Sequence, residues 1–266
     1  MGILNVTPDS FSDGGRHAAV DAALARAQRL AVEGADILDI GGESTRPGAT
    51  PVSEAEELAR VMPVIEALRV RTDIPLSIDT RKSAVARAVV AAGAVMWNDV
   101  SGLTGDANSL ATAAELGCQV VIMHMRGDPA TMQAAPRYGD VVGEVTTWLT
   151  GRADDAIAAG LARERLWLDP GVGFGKALAH NLALLAALDR LVALGFPVLL
   201  GASRKATVRA IDPSAVAPLD RLGGSLAMAL AGARAGCAML RVHDVRETVQ
   251  ALKVTAAIES AREAHV

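Results

Sequence analysis

The chain has 266 residues, 51% of them hydrophobic and 21% charged, with a formal net charge of −4. That length suits one large α/β domain spanning residues 1–266. The acidic balance, with no basic run interleaved with aromatics, excludes a general nucleic-acid role. No stretch of about 18 uninterrupted apolar residues and no basic segment leading into an apolar one occurs, so neither a membrane span nor a secretory signal is expected and the cytoplasm is the expected location.

Eight apolar, β-type runs alternate with amphipathic helical segments. The strands are expected at residues 2–6, 35–41, 76–80, 95–100, 119–124, 166–169, 197–201 and 238–242. The helices are expected at 18–33, 54–70, 83–92, 108–116, 141–159, 179–194, 218–235 and 245–264. Many of them end in the glycine a helix C-terminus favours, at Gly34, Gly93, Gly117, Gly160, Gly195 and Gly236. Each strand stops at polar residues that a core strand cannot use. In order these are Asn5, Glu43 to Arg46, Asp79, Asn98-Asp99, His124, Asp169, Ser203-Arg204-Lys205 and Arg241 to Asp244. Chemistry at the C-terminal end of every strand is the sequence form of an α/β, (β/α)8 TIM barrel, whose active site is built from the βα loops.

Other features fit that frame. Cys118 and Cys237 have no metal-ligand spacing and read as small buried hydrophobes in a reducing compartment. Of the four lysines, Lys82, Lys176 and Lys205 fall just past strand ends, and Lys253 lies on an ordinary helix. Two rim loops, 7–16 and 45–53, exceed the usual length and are rich in Gly, Pro, Ser and Asp, so they are expected to close over a ligand.

Asp79, Asn98, Asp169 and Lys205, on the third, fourth, sixth and seventh strands, make a recognition set for a planar heterocycle. A ring carrying a 2-amino group beside a ring N–H offers a carboxylate two parallel donors, and an amide and an ammonium can meet its acceptors. Arg241 and His243 alternate onto one face of the last strand. With Asn5 on the neighbouring first strand they point to a phosphate or diphosphate. Mg²⁺ needs few protein oxygens beside substrate phosphates, so Asn5 and the loop carboxylate Asp13 are its candidate ligands. The Gly-rich stretch from Asp169 to Lys176 is neither a P-loop nor a dinucleotide fingerprint, because Pro170, Lys176 and Ala177 occupy positions those motifs reserve. Gly201 to Lys205 lacks the final glycine of a nucleophile elbow.

In order and spacing, GILNVTPDSFSDGG, ESTRPG, SIDT, NDVSG, MHMRG, LDPGVGFGK, SRK and RVHDV resemble the motif set of the dihydropteroate synthase family, across essentially the whole chain. The resemblance implies condensation of 6-hydroxymethyl-7,8-dihydropterin diphosphate with 4-aminobenzoate, releasing diphosphate. It implies that Asp79, Asn98, Asp169 and Lys205 hold the pterin, and that Asn5, Arg241 and His243 hold the diphosphate and its Mg²⁺. Thr45, Arg46, Pro47, Phe174 and Ser203 would shape the aminobenzoate pocket, with Phe11 and Asp13 arriving on the first loop. Asp79, Lys205, Arg241 and His243 form the expected catalytic set.

Two departures stand out. The chain begins at Met1 without the leading segment that relatives usually carry, and Ala206-Thr207-Val208-Arg209-Ala210 follows Lys205 where a large apolar residue and a nearby glycine are usual. Residues 182–194 (LALLAALDRLVAL) offer only Asp189 and Arg190 as polar groups. A helix apolar nearly all round is usually buried all round, and the seventh helix, with LAMALAGARAG, is similarly poor in charge, so a homodimer through this quarter is expected. Competing readings are a methyltetrahydrofolate methyltransferase, an aldolase-type lyase with Lys205 as Schiff-base nucleophile, and a non-catalytic pterin-binding protein.

Overall fold

Six parallel strands form one continuous sheet: β1 (Gly2–Asn5), β2 (Leu38–Gly41), β3 (Leu76–Asp79), β4 (Met96–Asp99), β5 (Gln119–Met123) and β6 (Leu166–Asp169). The structure is a computed structural model and describes residues 1–6, 15–44, 50–129 and 131–263. A further parallel pair, β7 (Leu199–Leu200) and β8 (Met239–Leu240), is bridged to β6 at Leu168–Val198 and to β1 at Gly2–Val242. Those two bridges close the eight strands into a barrel.

The helices follow the strands in turn: α1 (Gly15–Val32), α2 (Glu54–Arg69), α3 (Ser83–Ala91), α4 (Ser109–Leu116) and α5 (Val141–Ala158). They continue with α6 (Leu178–Ala186), α7 (Leu188–Val192), α8 (Ala206–Ile211), α9 (Leu222–Ala235) and α10 (Val245–Glu263). Local chemistry sets their ends. Ser53 caps α2 by accepting from the Glu56 amide at 3.2 Å, with Glu54, Glu56 and Glu57 in its positive first turn. Asp140 caps α5 in the same way through the Gly143 amide. Gly117 and Gly236 end α4 and α9 in the left-handed conformation, which a side chain there would oppose.

Strand alternation divides each strand between two environments. The outward residues, among them Leu4, Leu38, Ile40, Ile78, Trp97, Ile122 and Leu168, pack with the helices in the main core. The inward residues form two layers. Met1, Ile37, Met96, Val121 and Leu199 fill the lower barrel with an apolar plug. Above it the same faces carry Asn5, Asp39, Asp79, Asn98, Asp169 and Arg241. The register makes this a rung: Asn5 pairs with Gly41, Gly41 with Asp79, and Asp79 with Asn98.

Three expected elements differ. The seventh and eighth strands shrink to two residues each. Pro197 has no N–H to donate at the start of β7, although its carbonyl still accepts from Leu168 at 3.0 Å. The sixth helix is interrupted at Ala187, whose amide bonds to Leu184 at i−3, so Leu188 and Leu191 enter the core from a separate turn. The unusual residues after Lys205 form α8, which buries Thr207 and Val208. Val208 lies so near Gly224 of α9 that a Cβ there would sit 2.6 Å from its methyl carbon.

Candidate active site

Asp79, Asn98, Asp169, Phe174, Lys205 and Arg241 converge on one cleft at the C-terminal mouth of the barrel, with Val100, Met123 and Val172 as apolar walls. Five of the six stand at or just past different strand ends, and Phe174 arrives on the loop after β6. Asp79, Asn98 and Asp169 are buried at the floor, and Phe174 and Lys205 are half-buried nearer the mouth.

A charged network underlies the floor. Arg241 donates from Nε to Asp39 Oδ2 at 2.5 Å and from Nη2 to Asp79 Oδ2 at 2.6 Å. Asn98 Nδ2 donates to the same Asp39 oxygen at 3.0 Å. Burial weighs against the Arg241 charge, but the two carboxylates outweigh it and raise its pKa. Burial is also the largest influence on Asp79 and pushes its carboxyl up to about 7; Arg241 pulls it down, while Asp39, Glu57 and Asp99 push it further up. Asp79 Oδ1 and Asp39 Oδ1 are both buried with no hydrogen-bond partner among the described residues. A ligand bringing N–H donors onto this floor would relieve that cost.

Asp169 is likewise raised by burial, against the pull of the Gly171 amide, which donates to Oδ1 at 2.7 Å, and of Lys205, Arg241 and Lys176. Burial lowers Lys205 to about 8, with Asp169 opposing the shift. Its ammonium sits 4.4 Å from the Phe174 ring centroid, a cation–π arrangement that joins floor to mouth.

The expected anion-binding pair divides. Arg241 turns inward to two carboxylates, while His243 Nδ1 and the His243 amide each lie 3.1 Å from Ser203 Oγ. In this structure Arg241 is therefore tied to the carboxylates of the floor, while Ser203 pairs with His243. Arg204 joins the loops carrying them through a two-pronged ion pair with Asp244, at 3.0 and 2.5 Å. Thr45, Arg46, Pro47, Phe11 and Asp13 lie outside the described residues. Asn5 ends β1 with its side-chain oxygen above Gly41, where a Cβ would come within 3.8 Å. No group of three metal-ligating side chains exists among the described residues. One amide oxygen at the rim still suits a hard cation that draws its other ligands from phosphate and water.

Asp39 is the residue the sequence reading missed. In DILDIGG it sits inside an apolar run rather than at its end, but alternation puts it on the face of Gly41, one step deeper, where it is fully buried. The rim lysines also sort differently than expected. Lys205 lines the cleft. Lys82 is spent on Glu43 and Glu57, at 2.7 and 2.5 Å. Lys176 is buried behind the β6 loop.

The pterin-binding enzyme family profile matches residues 1–243. Dihydropteroate synthase of Escherichia coli K12 is 48% identical over 263 residues, covering 99% of this chain and 92% of the relative. That of Haemophilus influenzae is 47% identical, covering 98% and 94%. Among solved structures, Yersinia pestis dihydropteroate synthase with a sulfonamide drug complex superposes with a TM-score of 0.91 at 49% identity, covering 98% of this chain and 94% of the other. The Xanthomonas albilineans enzyme with 4-aminobenzoic acid gives 0.91 at 53%, covering 97% and 92%. Its complex with 7,8-dihydropteroate gives 0.88 at 50%, with the same coverage. The chain belongs to the pterin-binding enzyme family, and its full-length relatives within that family are dihydropteroate synthases.

Proposed function

We infer that the protein is a transferase of folate biosynthesis that joins 6-hydroxymethyl-7,8-dihydropterin diphosphate to 4-aminobenzoate, giving 7,8-dihydropteroate and diphosphate. The observation that carries this is the barrel floor. Two buried carboxylates with an amide and an ammonium match the edge of a pterin ring, in a chain whose relatives hold 4-aminobenzoic acid and dihydropteroate. Asp169, Asn98 and Lys205 bind and orient the ring, and Asp79 faces its electron-poor side. The methylene C–O bond breaks with its electron pair leaving on diphosphate, and the arylamine lone pair then forms the C–N bond and its nitrogen loses a proton. Asp79, as a carboxylate, stabilises the cationic methylene carbon between these events. Water must be kept from that carbon, the role expected from the sequence of the long segments 7–16 and 45–53.

Asn5 and Asp13 would hold Mg²⁺, which would supply positive charge to the departing diphosphate. His243, steadied by Ser203, reaches the same end of the substrate, and Arg241 adds its charge from the floor. Phe174 at the mouth would form one wall of the aminobenzoate slot, with Thr45, Arg46 and Pro47 as the other residues expected to shape it. The protein works in the cytoplasm as a homodimer; among the described residues no helix is long and apolar enough to cross a membrane.

The deciding experiment is diphosphate release by the purified protein with Mg²⁺. Release that requires both the pterin diphosphate and 4-aminobenzoate is the expected result. A folded protein that releases none with both present would refute the reading.

A further inference from the structure

The proposed reaction has no use for the ammonium buried behind the β6 loop. Lys176 is 3% exposed, yet it lines no part of the cleft. Its Nζ donates to the carbonyl oxygens of Gly171 and Phe174, both at 3.0 Å, and of His124 at 3.2 Å. The fourth acceptor is His124 Nδ1 at 2.9 Å. An ammonium has three protons, so these four acceptors saturate it.

The partners lie on one side of the loop. Beside Lys176, the segment after β5 adds Tyr138 Oη, which donates to Gly175 O at 2.9 Å, and Gln133 Nε2, which donates to Gly173 O at 2.5 Å. The carbonyls of residues 171, 173, 174 and 175 are thus all engaged away from the cleft, and the Phe174 ring is left on the cleft side under Lys205. The backbone is pressed close to make this fit. A Cβ on Gly171, whose φ is +66°, would lie 1.9 Å from the His124 carbonyl oxygen.

The floor does not depend on this tether to the same degree. Asp79 and Asp169 end strands, and Asn98 stands one residue short of the end of β4; all three strands are fixed by their ladders, and the Asp169 carbonyl accepts from the His124 amide at 3.0 Å. Phe174 has only its loop. Because the pterin edge is read at the floor, the second ring has to enter past Phe174 at the mouth.

We propose that Lys176, with His124 as its acceptor, is a positioning residue for the arylamine half of the reaction: it sets Phe174 as one wall of the aminobenzoate slot without touching either substrate. This rests on the reaction proposed above.

The test is steady-state kinetics of wild type, Lys176→Met, His124→Leu and His124→Asn, with each substrate varied in turn and folding checked by circular dichroism. Lys176→Met is expected to raise the KM for 4-aminobenzoate roughly tenfold or more while the KM for pterin diphosphate stays within about threefold. His124→Leu should shift the same constant in the same direction. His124→Asn, whose amide oxygen can take the place of Nδ1, should recover most of that loss. If Lys176→Met does not fold, the two His124 variants decide the matter. Equal rises in both KM values, or no change in the aminobenzoate constant, would overturn the proposal. A wild type that releases no diphosphate would instead overturn the reaction itself, and this inference with it.

Discussion

Asp79 is the residue on which charge, burial and chemistry meet most closely. In the proposed reaction its task is to be anionic when the methylene carbon becomes cationic, yet burial lifts its carboxyl to about 7. Protonation removes the useful form, so kcat/KM should fall as pH drops below about 7; for a group acting as a carboxylate, activity is kept above the pKa and lost below it. Asp79→Asn should lower kcat by about 10²–10³-fold while changing the pterin dissociation constant much less, since the lost charge matters most in the transition state. Equal losses in both would make Asp79 a binding residue only. Asp169→Ala should instead remove measurable pterin binding, which calorimetry would check. Asp39 ties these residues together. Its replacement by Asn removes a negative charge that raises Asp79 and frees Arg241 from shared duty. Both effects lower the Asp79 pKa, so the acid limb of kcat/KM should move to lower pH in Asp39→Asn. Superimposed limbs for wild type and variant would disprove that electrical link. Asp79, Asn98 and Asp169 were legible in the sequence because each ends an apolar run. Asp39 was not, because its meaning depends on the partners that the barrel register brings across from β4 and β8. The division of Arg241 from His243 was hidden for the same reason: alternation gives both the same face, but only the closed barrel puts Asp39 and Asp79 within reach of one of them.

Among the elements, legibility follows how local the signal is. The glycines read as helix stops at 34, 93, 117, 160, 195 and 236 all have positive φ, since a single residue type suffices for that conformation. Strand β6 was readable to its last residue. The extents of β7 and β8 were not, because a strand ends where its neighbour stops pairing. The helix α8 was missed because six residues of Ala, Thr, Val, Arg and Ile carry little periodicity, and it is secured by packing on α9. That quarter of the barrel depends on close approach. A Cβ on Gly232 of α9 would lie 2.5 Å from Leu200 of β7 and 3.2 Å from Leu240 of β8, so the helix sits directly on the two shortest strands. Gly232→Val should therefore destabilise the fold by about 1–3 kcal/mol through overpacking, despite the usual gain from removing a helical glycine. A melting temperature at or above the wild-type value would contradict this packing argument.

For the whole molecule, barrel closure followed from the count and order of strands, and the structure supplies the seams at Leu168–Val198 and Gly2–Val242. The expected homodimer rested on the sixth helix being apolar all round and on the seventh being poor in charge. The structure favours the second of these. The interruption at Ala187 buries Leu184, Leu188 and Leu191, and of that segment only Leu182 is a large exposed hydrophobe, at 42%. Val32 and Val70, at the ends of α1 and α2, are the most exposed, but five others fall around α9: Ile211 in α8, Val216 and Leu219 on the way into α9, and Val254 and Ile258 one turn apart on α10. Here α9 packs against both α10 and the turn holding Leu219, and Arg234 reaches Glu259 across the helix pair at 3.1 Å. Apolar side chains exposed in this number are costly in water and are the expected place for an interaction surface. A second copy of the chain is the partner expected to cover it, through the seventh and eighth βα units. Light scattering at micromolar concentration should give about twice the chain mass of 27.4 kDa. Leu219→Glu combined with Ile258→Glu should return that mass to the monomer value, because two charges would then be buried unpaired on each side of the symmetry axis. A monomeric wild type, or a double variant that still scatters as a dimer, would place the contact elsewhere or remove it.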